Sequence, residues 1–195
     1  MSDTPVHVRT VRMESRRVGE GELEVRETLV DELPEGGPRW FTEDDATEIH
    51  RMTVTMRVAW PDFTISGISA EMKTHPYTIC GDAVPPLAGL VGLSVGRGFN
   101  RAVQERIGRE KGCAHLASLI LAMAPVVKQA AGAAFRGAHR APSGADDFWF
   151  INTCQAWRRD GVLHSLLKRG DLSEIRALST PPKSALAPPR SEKKG

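Results

Sequence analysis

Five side chains of the sequence could act as soft metal ligands or as a nucleophile with its base. They are His50, Cys80, Cys113, His115 and Cys154. Thiolate sulfur and imidazole nitrogen are donors that zinc and iron bind at about 2.0–2.3 Å. Two of each fill a tetrahedral shell, so one interpretation of these residues is a zinc or iron site.

The spacing of these residues leaves a second interpretation open. Cys113 and His115 are close in sequence, but His50 and Cys80 lie far upstream, which matches no standard zinc-finger pattern. Free cysteine is also among the most buried residue types. The thiols could therefore be small core residues, with the histidines as core or capping groups and no metal bound.

The same residues fit acid–base or thiol chemistry without a metal. Cys113 comes at the predicted start of a long helix, where the unpaired amides of the first turn favour a thiolate. His115 or His50 would serve as its base, and Asp82 as a general base or an orienting group. Asp82 also suits a helix cap. The candidate catalytic residues are therefore His50, Asp82, Cys113 and His115.

An arginine between two glycines precedes another predicted helix. Arg97, within Gly96-Arg97-Gly98, and Arg101 could hold an anionic group of a ligand or cofactor at that helix start. The segment lacks the longer glycine fingerprint of a nucleotide site, so no nucleotide cofactor is expected. A plain tight turn is the alternative.

The first half of the chain carries the period-2 pattern of strands. The clearest strand covers residues 49–58, where His50 shares the apolar face with Met52, Val54, Met56 and Val58. Further strands are predicted at 6–13 and 23–30, and from Phe63 onward. A slip of the apolar phase across Gly67 predicts a β-bulge there.

After Pro76 the apolar spacing becomes helical. It predicts a short helix at 84–91, a helix from Phe99 that Gly108 ends, and a longer helix over 113–138, kinked at Pro125. Residues 148–151 are predicted as a short strand or a helix start. The fold class is therefore α+β: an N-terminal antiparallel β-meander of about four strands packed against two or three C-terminal helices.

Length and composition indicate one domain with a tail. The 195 residues predict a single domain over 1–177 and a disordered, proline- and lysine-rich tail over 178–195. Three cysteines do not suggest a disulfide framework. No secretory signal is recognised, and the apolar run 116–127 is too short for a membrane span. We therefore expect a cytoplasmic protein that does not associate with membranes.

Charge is small overall but unevenly distributed. The net charge of +2 argues against nucleic acid as a partner. Residues 1–49 carry 6 basic and 13 acidic side chains, whereas residues 111–195 carry 13 and 6. Because the N-terminal part is acidic and the C-terminal part is basic, two copies of the chain could pair head to tail in a homo-oligomer. Charged residues on a solvated surface explain the same pattern.

Several short motifs, taken in order, resemble a known family. They are Ile49-His50-Arg51-Met52, Pro76-Tyr77-Thr78-Ile79-Cys80, Leu90-Val91-Gly92-Leu93, Gly98-Phe99-Asn100-Arg101 and Gly112-Cys113-Ala114-His115-Leu116. Over residues 9–130 the sequence resembles a bacterial family known as domain of unknown function 2889. The resemblance implies no particular activity.

The function that these observations favour is a small intracellular metabolic enzyme. It would act as a lyase, isomerase or hydrolase on an organic acid, aromatic or acyl-type small molecule, through a Cys/His site with or without zinc or iron. One alternative is a metal-handling or iron–sulfur accessory protein, since Cys80-Gly81-Asp82 and Gly112-Cys113 are similar to ligand segments of the iron–sulfur scaffold family. Another is a non-catalytic binding or assembly module.

Overall fold

The computed structural model describes residues 5–35, 47–135 and 144–179 of the chain. Its contacts divide the chain into two compact units, the first ending at Arg136 and the second beginning at Gly137. The single domain predicted for 1–177 spans both units and stays a prediction. The tail predicted for 178–195 lies, from residue 180 on, outside the described residues.

The first unit begins with a four-stranded antiparallel sheet, as the alternation predicts. Its strands are β1 (Val8–Gly19), β2 (Glu22–Glu32), β3 (Glu48–Ala59) and β4 (Thr64–Thr74). They pair in the order β1-β2-β3-β4, so each strand neighbours the next along the chain. The expected N-terminal meander and the α+β class are confirmed.

One face of the sheet is apolar and buried. Alternate residues of β2 and β3 point into the core, and their exposure is 2% or less: Leu23, Val25, Leu29, Met52, Val54, Met56 and Val58. The register places inward residues opposite inward residues, with Leu29 facing Met52 and Asp31 facing His50. This register therefore brings the last inward position of β2 next to the first histidine candidate.

The predicted bulge is present at the start of β4. Arg57 pairs with Gly67 whereas Val58 pairs with Ile65, so β4 carries one extra residue at this point. Because of the extra residue, Ile65 before the bulge and Ile68, Ala70 and Met72 after it all point toward the core.

The helices follow β4. Two 3-10 helices, Thr78–Ala83 and Pro85–Leu90, lead to α1 (Phe99–Ile107), a 3-10 turn (Arg109–Lys111) and α2 (Ala114–Ala134). The predicted start and end of α1 are confirmed, and Gly98 before it has a φ of 83°, which favours glycine. Pro125 lies inside α2. The residues predicted to extend α2 from 136 to 138 lie outside the described part of the chain.

Helix α2 packs on the inward face of the sheet and supplies a large part of the core. Its buried residues include Leu116, Leu119, Ile120, Met123 and Val127, which belong to one apolar cluster with the inward residues of β2 and β3. Each such side chain contributes about 1.5–3 kcal/mol by leaving water. The helix is long and apolar enough to cross a membrane by length and composition alone. In the structure its buried face packs on the sheet.

The second unit is small and helical in its described part. It contains a 3-10 turn (Ala145–Asp147), α3 (Val162–Arg169) and α4 (Leu172–Ala177). Residues 148–151 form a turn, so the strand or helix start predicted there is wrong. The buried His164 accepts a hydrogen bond from the Asp160 amide at Nδ1, and its Nε2 lies 3.0 Å from Asp146 Oδ1. This network holds the start of α3 in place.

Candidate functional site

A buried carboxylate lies at the centre of the site. Asp31 is the last inward-facing residue of β2 and is 1% exposed. Arg9, its partner on β1, donates from Nε to Oδ1 (2.6 Å) and from Nη2 to Oδ2 (2.8 Å). Burial alone would raise the pKa of Asp31, but the hydrogen bond and charge of Arg9 outweigh burial and lower it. Asp31 is therefore ionised at neutral pH.

His50 reaches the same carboxylate from the other neighbouring strand. It lies opposite Asp31 in the β2–β3 register, and its Nδ1 is 3.1 Å from Asp31 Oδ2. Its side chain is 13% exposed, as expected for the inward face. Burial lowers the pKa of His50, and the attraction of Asp31 offsets this only in part. His50 is accordingly a neutral imidazole at pH 7.

His115 approaches from the first turn of α2. Its Nε2 lies 3.6 Å from Asp31 Oδ2, and its ring centroid is 4.1 Å from that of His50. Burial is the main cause that lowers the pKa of His115. Repulsion from His50, which would have to share the site if both rings were protonated, and the charge of Arg9 lower it further. A neutral His115 has one ring nitrogen free to accept a proton.

Cys113 adds sulfur to this group. It is the N-cap residue of α2 in an extended conformation, with φ −104° and ψ 129°. Two residues that are two positions apart within a helix point to nearly opposite sides of it. Cys113 precedes the helix, so its side chain can lie next to that of His115, and Sγ is 3.7 Å from His115 Nδ1. Sulfur, imidazole and carboxylate thus follow one another from Cys113 through His115 to Asp31.

An open cleft begins at Cys113. It has a volume of about 370 Å³ and is lined by Tyr77, Ile79, Cys80, Asp82, Ala83, Glu110, Lys111, Gly112 and Cys113. Ile79 and Tyr77 expose much of their apolar surface there. Two further predicted residues, Cys80 and Asp82, therefore share the cleft with Cys113 although they are distant in sequence.

The structure brings some of the predicted ligands together. Among the described residues, the histidine, cysteine and acidic side chains with donor atoms within 4.8 Å of one another are Asp31, His50 and His115. Cys113 lies beside this group, on the far side of the His115 ring. Cys80 lines the cleft, and Cys154 is an exposed residue of the second unit. That the cysteines bind a metal stays a prediction.

The arginines predicted to bind an anion lie on and just before α1. Arg101 donates from Nε to Glu105 Oε1 at 2.7 Å, one helical turn further on. Arg97 precedes the left-handed Gly98, which fits the tight-turn alternative. Their binding of a cofactor stays a prediction.

The sequence interpretation missed Asp31 and Arg9. A signal for Asp31 was present, since the alternation of Leu23, Val25 and Leu29 places Asp31 on the apolar face. A carboxylate on a buried face needs a charged or hydrogen-bonding partner. The sequence could therefore have predicted a buried ion pair at Asp31, but not which residue provides its cation.

Comparison with known proteins identifies a family. The model of a family described as "Protein of unknown function (DUF2889)" matches residues 7–129. The chain belongs to this family. The match covers more than half of the chain and includes Asp31, His50, Cys113 and His115. No curated protein and no solved structure matches the chain.

Proposed function

We propose that this protein is a cytoplasmic enzyme that transfers or hydrolyses the acyl group of a small molecule. Cys113 is the nucleophile, His115 the base and Asp31 the group that orients His115. One observation carries the proposal: Cys113 Sγ, the two nitrogens of His115 and Asp31 Oδ2 follow one another at 3.7 and 3.6 Å, and the sulfur end opens on a cleft. This is the order of nucleophile, base and orienting carboxylate found in catalytic triads that transfer acyl groups.

The reaction begins with a proton transfer inside this line. Cys113 gives its thiol proton to His115 Nδ1, and the thiolate attacks the acyl carbon of the substrate. When the tetrahedral intermediate collapses, the leaving group departs with the proton from His115. Water, or a second acceptor, then attacks the thioester with His115 again as base, which releases the acyl product and restores the thiol.

Asp31 and the first turn of α2 stabilise the charges that form during this reaction. Asp31 stabilises the imidazolium that His115 becomes, and the two hydrogen bonds from Arg9 hold the carboxylate in place. The amides of the first turn of α2 have no helical acceptor, so they can donate to the oxyanion that forms next to Cys113. Catalysis therefore uses groups that are ordered before the substrate arrives.

The cleft favours a substrate of modest size with an apolar part. Tyr77 and Ile79 offer apolar surface beside Cys113, and a volume of about 370 Å³ is at the lower end for small-molecule sites. The charged side chains of the cleft are Asp82, Glu110 and Lys111, so its lining is slightly acidic and does not favour a highly anionic substrate. An uncharged or weakly charged acyl or aromatic acyl compound fits these properties best.

Alkylation of the full-length protein by iodoacetamide tests the proposal. Peptide mass spectrometry follows the three cysteines separately, so the exposed Cys154 is an internal reference. We expect Cys113 to react at least ~10-fold faster than Cys154 and His115→Asn to remove most of this advantage. His75→Asn, which changes an imidazole that is hydrogen-bonded to the backbone carbonyl of Tyr77, should keep it.

A panel of activated esters and thioesters provides the second measurement. The intact mass of the protein should increase by one acyl group, located on Cys113, and Cys113→Ser should prevent the increase. If Cys113 reacts no faster than Cys154, or if His115→Asn leaves its rate unchanged, the proposed function is wrong.

A further inference from the structure

We infer that Asp31, His50 and His115 form a binding site for one divalent transition-metal ion, and that the bound ion stops His115 from acting as a base. The first part depends on the geometry of these three residues alone. The second part rests on the proposed function, because it concerns the proton that Cys113 must give to His115.

The distances between the donor atoms fit a tetrahedral ion. Asp31 Oδ2 lies 3.1 Å from His50 Nδ1 and 3.6 Å from His115 Nε2. Zinc bonds of about 2.0–2.2 Å place neighbouring ligand atoms about 3.4 Å apart in a tetrahedron. Each of the three residues also offers one ligand atom that lies within 4.8 Å of a ligand atom of the other two. Two imidazoles and one carboxylate leave a fourth position open for water.

The three ligands come from elements that the core holds in place. Asp31 and His50 face each other on β2 and β3, and His115 lies in the first turn of α2, which packs on those strands. Imidazole and carboxylate together suit zinc, iron, cobalt and nickel better than magnesium or calcium. The inferred occupant is therefore a transition-metal ion.

Metal binding and base catalysis compete for the same ring. An ion on His115 Nε2 leaves the neutral ring with its proton on Nδ1, the nitrogen that lies 3.7 Å from Cys113 Sγ. This nitrogen then donates toward the sulfur and cannot accept the thiol proton. The same ion also takes Asp31 Oδ2 away from its contact with His115. The bound metal thus keeps Cys113 as an unreactive thiol.

Arg9 sets a limit on the affinity. Its Nη2 donates to the Asp31 oxygen that lies nearest to both histidines, at 2.8 Å. The metal must share or displace this contact, while the bond from Arg9 Nε to Oδ1 (2.6 Å) can remain. A reversible site that responds to the free metal concentration is therefore expected, rather than a permanently filled one.

Titration of the metal-free full chain with Co²⁺ tests the binding. We expect one equivalent to bind with a Kd below about 100 μM and to show the visible bands of a tetrahedral ion. His50→Asn, and independently His50→Gln, should weaken binding at least ~10-fold, whereas His75→Asn should not. Thermal unfolding by circular dichroism identifies any variant that fails to fold.

Cys113→Ser distinguishes the assigned ligands from a thiolate site. The variant should bind Co²⁺ as the wild type does, and neither protein should show a sulfur-to-cobalt charge-transfer band. Such a band in the wild type, or loss of binding in Cys113→Ser, overturns the ligand set. Binding that His50→Asn and His50→Gln leave unchanged overturns it equally.

The alkylation rate of Cys113, measured with and without saturating Zn²⁺, tests the regulation. We expect zinc to slow the wild type at least ~10-fold and to leave His50→Asn within about twofold of its own metal-free rate. An unchanged wild-type rate at saturation disproves the regulation. If Cys113 is unreactive even without metal, the proposed function fails while Co²⁺ binding can still stand. If Cys113 is reactive and no metal binds, only the metal inference fails.

Discussion

Glu27 offers a sharp test of how this sheet is packed. It lies on the inward face of β2 between Val25 and Leu29 and is fully buried. Among the residues that the structure describes, its two carboxyl oxygens find no hydrogen-bond partner. Its neighbours across the strands are Met13 and Val54. Burial alone raises the pKa of Glu27 from 4.5 to about 7.

This shift makes the stability of the protein depend on pH. A carboxyl group whose pKa is raised in the folded state binds its proton more tightly there than in the unfolded chain. Its contribution is therefore most favourable below pH 4.5 and falls as the pH rises to about 7. At about 1.4 kcal/mol per pKa unit, ionised Glu27 costs about 3 kcal/mol above pH 7.

Glu27→Gln removes the ionisation and keeps the size of the side chain. We expect the variant to exceed the wild type in free energy of unfolding by about 1 kcal/mol at pH 5 and about 3 kcal/mol at pH 8. Urea unfolding, followed by circular dichroism between these pH values, measures the difference. Asp31, whose pKa is lowered, changes the stability of both proteins equally and at more acid pH. Its contribution therefore cancels in the difference between the two free energies of unfolding.

The matched control is Glu71→Gln on the exposed face of β4. It should change the free energy of unfolding by less than about 0.5 kcal/mol at every pH. A Glu27→Gln difference that does not grow with pH, or a variant less stable than the wild type at pH 8, would refute the burial of an ionisable Glu27 in this core.

Three further substitutions test the site and the core. Arg9→Gln leaves Asp31 buried without its cation, so it should lower the free energy of unfolding by about 2 kcal/mol at pH 7, measured by urea titration. The loss should become smaller in acid, because Asp31 gains a proton there. Gly112→Ala should cost about 1–3 kcal/mol and slow the alkylation of Cys113, since its new Cβ would lie 2.6 Å from a backbone oxygen at the end of α1. Met123→Ala, within the core face of α2, should cost about 2–5 kcal/mol, measured by thermal unfolding.

Much of the fold could be predicted because its signals are local. Alternation in β3 and the phase slip at Gly67 reflect the period of a strand and the geometry of a bulge, both of which neighbouring residues determine. The helix from Phe99 to Ile107 is bounded by glycines that are visible in the sequence. The turn at 148–151 was missed because its apolar residues resemble a strand when their contacts are unknown.

The site could be predicted only in part. His50, Cys113 and His115 were found because imidazole and thiol are chemically distinctive and because residue 50 falls on an apolar strand face. Asp31 and Arg9 were missed because Asp and Arg are common, and most of them lie on the surface.

Residue types and their short-range order already determined that an antiparallel meander precedes helices. They also determined that His50 lies on an apolar strand face and that Cys113 and His115 lie at the start of a long helix. Only the tertiary structure decided which of these groups share a centre. The β2–β3 register places Asp31 opposite His50, and the packing of α2 on the sheet adds His115 and leaves Cys113 on a cleft. The physical reason is that backbone periodicity acts over a few residues, whereas strand register and helix packing depend on the burial of the whole apolar face.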